Sequence, residues 1–371
     1  MNQVKRWRPA TASPSGAPPS RSRPSRLRLF GPAALLAAAG AAACGFWAFA
    51  SWRTDREIEA WLQREAAHGR DWTCPARRIG GFPFRIEVSC DKPSFKGRAE
   101  NRAVAGQIGR VLAVAQVYSP THVIVEADGP LELRDDAGGA LSMAWESLRA
   151  SVIGKPGSGL ERISVEMGGP TLVANNDAGA IETGARAVEL HLRRTPDRPA
   201  EDHAYDVAAT LNGVRLPALD ALFNSGEPTD ATMLATVTKA EPLGAGGFQR
   251  ELDRWRDAGG RLQVTSLALL KGGKRIDANG SLGLDELHRA QGRVELTLTG
   301  LDELLQSLGV SSRTAAIGGL IAGVLGGKRP VDAAPPPGAT GALKGVTLPL
   351  RLDNGKAYLG PIPVARLAPL Y

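Results

Sequence analysis

The stretch DWTCPARRIGGFPFRIEVSC, residues 71–90, places two cysteines around a Gly-Gly-Phe-Pro-Phe core and ends in a segment that alternates like a β-strand. Cys74 and Cys90 have 15 residues between them. An even pair of cysteines in an oxidising compartment is typical of a disulfide. Closing a loop of this size stabilises the fold by about 3 kcal/mol in the chain-entropy model. We therefore predict a Cys74–Cys90 disulfide that joins the preceding helix to the first strand.

Zinc binding and redox chemistry fit this pair of cysteines less well. A structural zinc site needs four ligands, and His68, the nearest histidine, has no second histidine nearby. A redox dithiol normally has Cys-x-x-Cys spacing, which is absent. The third cysteine, Cys44, lies in an apolar segment and is expected to be inert.

The residues between the cysteines predict a bend. Gly80 and Gly81 permit unusual backbone angles, and Pro83 restricts Phe82 to extended geometry. We expect Phe82 and Phe84 to fill the base of the core.

The net charge of +7 belongs to the N-terminal tail. Residues 1–29 contain seven Lys and Arg residues and no acidic residue, so residues 30–371 balance to about zero. The tail is rich in Pro, Ser and Arg, which predicts disorder. With only 5% aromatic residues and no basic face in the remainder, the chain is not expected to bind nucleic acid.

Residues 30–50, FGPAALLAAAGAAACGFWAFA, contain no charged residue. As a helix they would be roughly 31 Å long, about the thickness of a bilayer core. We predict a transmembrane anchor at 30–52 in the inner membrane. Because positive charge precedes it, the N-terminus is expected in the cytoplasm and residues 53–371 in the periplasm.

Three alternatives for this apolar segment stay open. A signal peptide could be cleaved at Ala41-Ala42-Ala43, and a lipoprotein signal could be cleaved before Cys44. The segment could also be a buried helix of a soluble protein.

Beyond the anchor, Thr54-Asp-Arg-Glu57 resembles a capping box and predicts a short amphipathic helix that ends near Gly69. We expect this helix to pack on the domain, although it could lie on the membrane surface. From Phe84 onward, short alternating runs are separated by Gly, Pro and Asn-Asp turns every 10–15 residues. This pattern predicts an antiparallel meander of at least ten strands.

Few helices interrupt this pattern. We predict helices at 218–223, 248–258 and 301–310. A further helix at 315–327 is too short to span a bilayer and is expected to be buried or to cover a groove, with contact to the membrane as the alternative. A Pro-rich loop is expected at 328–340.

Motifs of common enzyme classes are absent. The chain has no Gly-x-Ser-x-Gly elbow, no phosphate-binding loop and no pair of histidines at metal-ligand spacing. Glu126 and Asp128 could bind a cation if they share a strand face. His191 is expected on a polar face with Glu189 and Arg193. We predict no catalytic, cofactor-binding or metal-binding residues, and an unrecognised hydrolase stays open.

Several motifs resemble one family of exported bacterial proteins, the domain-of-unknown-function family 2125. They are Trp72-x-Cys74, Gly-Gly-Phe-Pro-Phe-Arg85, Cys90, and the stretches GSLGLD (280–285), QGRVEL (291–296) and LGPIP (359–363). The resemblance covers most of residues 45–371 and implies no activity and no catalytic residues.

The C-terminal pattern of strand, polar hairpin, strand and Leu-rich helix is also similar to AsmA-like envelope proteins. That resemblance implies an N-terminal anchor and long curved β-sheets whose apolar face can hold lipid chains.

The sequence therefore predicts one transmembrane helix followed by a mainly β domain of curved or groove-like antiparallel sheets. The leading functional hypothesis is a non-enzymatic envelope protein that binds lipid or another hydrophobic ligand. The alternative is a scaffold that binds other envelope proteins without a small-molecule ligand.

Overall fold

A computed structural model describes most of the chain, namely residues 26–99, 102–155, 159–176, 179–240, 248–300 and 345–371. Within these ranges the protein has 22 β-strands, three α-helices and one 3₁₀ turn at Ala200–Asp202. The mainly β, antiparallel fold class is confirmed, whereas the curvature of the sheets stays a prediction.

Helix α1 (Arg26–Ala67) is one continuous helix of 42 residues. The predicted second helix start at Thr54 is wrong, because the chain is already helical there. No Gly or Pro follows Gly45 before Gly69, so nothing in the sequence ends the first helix. Among the described residues, the part from Phe30 onward forms the one helix that is long and apolar enough to cross a membrane, and none of its most apolar window is buried.

The strands, numbered in chain order, form two antiparallel sheets. The short sheet contains β1 (Asp71–Thr73), β4 (Ser94–Ala99), β5 (Arg102–Gln107), β8 (Leu131–Asp135), β9 (Ala140–Ala144), β12 (Thr171–Asn176) and β13 (Gly179–Gly184). The long sheet contains β2 (Arg78–Gly80), β3 (Arg85–Cys90), β6 (Val111–Gln116), β7 (Ser119–Ala127), β10 (Ser147–Lys155), β11 (Gly159–Gly168), β14 (Ala187–Arg194), β15 (Tyr205–Val214), β16 (Thr229–Val237), β17 (Leu262–Lys271), β18 (Lys274–Leu284), β19 (Ala290–Thr299), β20 (Val346–Asp353), β21 (Lys356–Leu359) and β22 (Ile362–Arg366).

Up to β14 the chain alternates between the two sheets, one hairpin at a time. The first crossing, from β1 to β2, takes four residues, and each later one takes only two or three, for example Ile108–Arg110 and Asp128–Pro130. Backbone hydrogen bonds join neighbouring crossings: Ile108 N donates to Pro93 O (3.1 Å), and Asp128 N donates to Arg110 O (2.8 Å). The two sheets therefore meet along a line of crossings, called the seam, at residues 91–93, 108–110, 128–130, 145–146, 169–170 and 185–186.

The seam explains how the structure differs from the predicted simple meander. From β14 to β22 each strand does pair with the next one, as predicted. Upstream, the Gly-Pro pairs at 129–130 and 169–170 mark crossings between sheets instead of hairpin turns. Both kinds of connection use Gly and Pro, so local composition does not separate them.

The long sheet has one apolar face that runs across many strands. In register from β7 to β15, this face carries Val123, Val152, Ile163, Leu192 and Val207. These side chains are only half-buried. The buried cluster lies instead near the C-terminus, where α2 (Pro217–Phe223) packs on the sheet through the contacts of Phe223, Leu298, Leu348 and Leu359.

The remaining helix predictions have mixed outcomes. Helix α2 (Pro217–Phe223) and helix α3 (Phe248–Asp257) confirm two of them. The indole of Trp255 on α3 donates to Thr238 O at 2.8 Å and so holds this helix against the end of β16. The predicted helices at 301–310 and 315–327 and the Pro-rich loop at 328–340 lie outside the described residues, as do residues 1–25.

Candidate functional site: an apolar cleft beside helix α1

The candidate site is a cleft of about 760 Å³ between α1, the seam and the apolar face of the long sheet. Helix α1 contributes one face, with side chains spaced three or four residues apart from Phe46 to Leu62. Strands β3, β6 and β7 contribute the opposite wall, which includes Ile86, Ala113 and Val123. The walls are therefore almost wholly apolar.

Aromatic contacts and ion pairs fix α1 beside the sheets. The ring of Trp61 on α1 lies 5.9 Å from the ring of Trp72 on β1. The guanidinium of Arg77 contacts Asp55 of α1 at 2.6 Å and Glu59 at 3.5 Å. These contacts position the C-terminal half of the helix as a wall of the cleft.

The Cys74–Cys90 disulfide is present, with a Cα–Cα distance of 5.7 Å, which confirms the prediction. Its position differs from the expected one. Cys74 directly follows β1 of the short sheet, and Cys90 ends β3 of the long sheet, so the bridge ties the two sheets together. Both cysteines also line the cleft, which places the bridge at its base.

The two charged side chains that line the cleft already have partners. Arg53 pairs with Glu57 one helical turn away at 2.5 Å. Arg77 is engaged by Asp55 and Glu59. The two guanidinium groups that line the cleft are therefore neutralised by carboxylates of the same chain.

The Gly-Gly-Phe-Pro-Phe segment forms a turn between β2 and β3 at one end of the cleft. Gly81 has φ of +93°, and a Cβ there would lie 2.7 Å from Arg85 O, so the turn requires glycine. The prediction that Phe82 and Phe84 fill the core is wrong, since 56% and 71% of these residues is exposed. The turn between β2 and β3 therefore leaves both rings at the surface.

The other residues singled out from the sequence do not assemble into a site. Glu126 pairs with Arg149 at 3.3 Å, and Asp128 lies in the seam after β7 ends. Among the described residues, no group of three or more His, Cys, Asp or Glu side chains could hold a metal ion.

His191 lies on the polar face of the long sheet beside Glu189 (3.8 Å), as predicted. It borders a shallow hollow of about 590 Å³ that also includes Asp206. The Asp206 carboxylate accepts hydrogen bonds from Thr195 (2.9 Å), Thr236 (3.0 Å) and Arg193 (3.2 Å). This network occupies the carboxylate, and it offers no nucleophile–base pair.

The clear pKa shifts lie outside the cleft. Hydrogen bonds from the Gly139 N–H and the Arg102 guanidinium lower the pKa of the Asp135 carboxyl. Burial and a hydrogen bond to Asp253 raise the pKa of the Tyr371 hydroxyl. These shifts accompany turns and ion pairs of the fold, so they do not indicate an acid–base site in the cleft.

Sequence reasoning missed the cleft because its walls come from separate segments. The helix periodicity from Phe46 to Leu62 was a usable signal, since it continues across the end of the apolar segment. The apolar positions of β6 were a second signal. The seam brings the apolar positions of α1 and β6 to the same cleft, and local sequence patterns do not specify where the seam lies.

Together these features define a mainly antiparallel β protein with an N-terminal helix able to span a membrane and an apolar cleft beside that helix. The chain belongs to the family described as "Uncharacterized protein conserved in bacteria (DUF2125)", whose model matches residues 47–368. Comparisons with curated proteins and with solved structures found no match. The similarity to AsmA-like proteins stays a prediction.

Proposed function

We propose that this protein is a non-enzymatic envelope protein that binds the acyl chain of a lipid, or another apolar ligand, in the cleft beside α1. The cleft is the observation that carries the proposal. Its volume of about 760 Å³ falls within the range of roughly 300–1,000 Å³ typical of small-molecule sites. Its apolar walls match the chemistry of a hydrocarbon chain.

The charges at the cleft favour an uncharged ligand segment. Arg53 and Arg77 are both paired with carboxylates of α1, so neither guanidinium is left to bind an anionic headgroup inside the cleft. A hydrocarbon chain has no polar group that needs a hydrogen-bond partner inside the cleft. A headgroup would therefore stay at the open end of the cleft.

The path of α1 supports entry of the ligand from the bilayer. The residues from Phe46 to Leu62 that line the cleft cover a length of about 24 Å along the helix. Phe46, Phe49 and Ala50 belong to the proposed span at 30–52. A chain could pass from the membrane along this helix face without crossing water.

We place residues 1–29 in the cytoplasm, the anchor at 30–52 in the inner membrane and residues 53–371 in the periplasm. The seven basic residues before the anchor support this orientation. The Cys74–Cys90 bridge supports an oxidising compartment for the β domain. An alkaline phosphatase fusion after Tyr371 should be active, and an inactive fusion would overturn the topology.

The ligand proposal is tested by site-specific photocrosslinking in intact cells. A photoreactive residue replaces Ala113, which lines the cleft, or its neighbour Val114, which faces away from it. Because these positions are adjacent on β6, they form a matched pair. We expect lipid adducts by mass spectrometry at position 113 and few or none at position 114.

Two outcomes would contradict the proposal. Equal lipid labelling at both positions would mean non-specific contact with membrane lipid. Adducts with another protein at position 113, without lipid, would instead favour the scaffold function.

A further inference from the structure

The exposed aromatic side chains are concentrated at one end of the molecule. Among the residues whose exposure is described, every exposed large aromatic side chain lies between Phe30 and Tyr118. They are Phe30, Phe46, Phe49, Trp52, Trp61, Trp72, Phe82, Phe84 and Tyr118. The remaining two-thirds of the chain, although it holds most of the long sheet, exposes no large aromatic side chain in its described part.

Three of these residues, Phe82, Phe84 and Tyr118, form a cluster that we call the aromatic rim. They are 56%, 71% and 73% exposed. They lie on two adjacent turns, because Val117 N donates to Phe84 O at 3.0 Å and joins the β2–β3 turn to the β6–β7 turn. Single exposed apolar residues are ordinary, but three aromatic rings on adjoining turns form a patch.

The aromatic rim contacts α1 through Phe82. The ring of Trp47 meets the ring of Phe82 edge to face, with centroids 5.5 Å apart. The Trp47 indole N–H also donates to Arg85 O at 2.9 Å. Trp47 is part of the apolar segment of α1, so the rim is held at the level of the last turns of that segment.

We propose that the aromatic rim inserts into the interfacial region of the same membrane that α1 spans. Tyrosine favours this region because its ring is apolar and its hydroxyl is polar. Phenylalanine is typical of the apolar face with which membrane-surface segments enter the boundary between headgroups and acyl chains. The rim would then hold the open end of the cleft at the boundary of the hydrocarbon layer. This inference rests on α1 spanning the membrane, which is part of the proposed function.

The position of the rim favours the membrane over a protein partner as its occupant. A bilayer around α1 at the level of Trp47 reaches Phe82 without any further association, since the two rings are in contact. Phe46 and Phe49, which neighbour Trp47 on α1, are also exposed at this level of the helix. A protein partner would have to displace lipid from the same surface.

The test places an environment-sensitive fluorophore on single cysteines of the full chain in nanodiscs of phosphatidylethanolamine and phosphatidylglycerol. The probed variants are Phe84→Cys and Tyr118→Cys, made together with Cys44→Ala, because Cys44 is the free cysteine in the described part of the chain. The matched control is Leu287→Cys, since Leu287 is also exposed (59%) but lies in the β18–β19 turn, far along the long sheet.

We expect emission at positions 84 and 118 to shift to shorter wavelength and to be quenched severalfold more by nitroxide-labelled lipid than emission at position 287. Water-like emission without lipid quenching at 84 and 118 would overturn the inference. A shift that appears only with added cell extract, without quenching by lipid, would also overturn it in favour of a protein partner. The readout does not require a filled cleft, so an inserted rim with an empty cleft would overturn the ligand proposal alone.

Discussion

At the scale of single residues, the most unusual feature is a lysine with no exposed surface. Lys271, at the end of β17, is 0% exposed. Its ammonium group donates hydrogen bonds to the Asp220 carboxylate, to the Glu227 carbonyl and to the Thr229 hydroxyl. A buried charge needs such partners, because the cost of removing it from water is several kcal/mol. The contact with Asp220 also holds α2 against the end of strand β17.

Lys271 is fully buried, whereas the side chain of Asp220 is partly exposed. Substitution of one partner should therefore lower the free energy of unfolding by a different amount from substitution of the other. Asp220→Ala leaves the buried ammonium without its carboxylate and should cost about 3–5 kcal/mol. Lys271→Met should cost less, because the side chain of Asp220 is 38% exposed and can be hydrated. Urea unfolding of the detergent-solubilised chain measures both variants.

The double variant serves as the control for this prediction. Asp220→Ala combined with Lys271→Met should be more stable than Asp220→Ala alone, since no unpaired charge stays buried. A double variant that is less stable than either single variant would mean that the pair contributes through packing and not through charge.

At the scale of elements, the β18–β19 hairpin depends on two glycines in the stretches that resemble the family. Gly280 and Gly292 have φ of +152° and +151°. A Cβ on Gly292 would lie 2.2 Å from Ser281 O, and one on Gly280 would lie 2.3 Å from Arg293 O. The backbones of the two strands therefore approach too closely for any side chain at these positions.

Alanine at Gly292 should destabilise the protein, because both the backbone angle and the close carbonyl oppose a Cβ. We expect strain of this kind to lower the free energy of unfolding by about 1–3 kcal/mol or more. The loss would be measured as a lower midpoint of urea unfolding. Gly273→Ala is the matched control, since Gly273 has no positive φ and nothing within 4 Å of the added Cβ. Equal stability of the two variants would contradict this account.

At the scale of the whole molecule, the seam and the disulfide organise the two sheets. The hairpins alternate between the sheets only up to β14, and the Cys74–Cys90 bridge ties the sheets at the beginning of this alternating part. The cleft occupies the same place, with α1 as its third wall. The geometry of the candidate site therefore depends on how the N-terminal elements are held together.

Removal of the disulfide should loosen this end of the molecule first. The free energy of unfolding of the double variant Cys74→Ala/Cys90→Ala should be lower by about 3 kcal/mol, the contribution expected from a disulfide that closes a loop of this length. Hydrogen exchange should rise mainly in β1 to β3 and stay low in β14 to β22. Cys44→Ala should change neither stability nor exchange, because Cys44 is not bonded. A uniform rise in exchange across both sheets would contradict the prediction.

The sequence by itself determined the class of structure and the pairing of the cysteines. Uncharged residues at 30–50 specified the apolar helix, and alternating runs with Gly and Pro turns specified antiparallel strands. These features are local, so each can be read from a short window. Cys74 and Cys90 could be paired because no other cysteine competes in the β domain.

Only the tertiary structure decided how these elements come together. The crossings between sheets, the unbroken helix past Thr54, the exposure of Phe82 and Phe84, and the burial of Lys271 all depend on contacts between distant segments. The stretch at 71–90 illustrates the difference. Its disulfide was predicted, whereas its link between two sheets and its exposed aromatic turn beside Trp47 follow from packing that no short window of sequence contains.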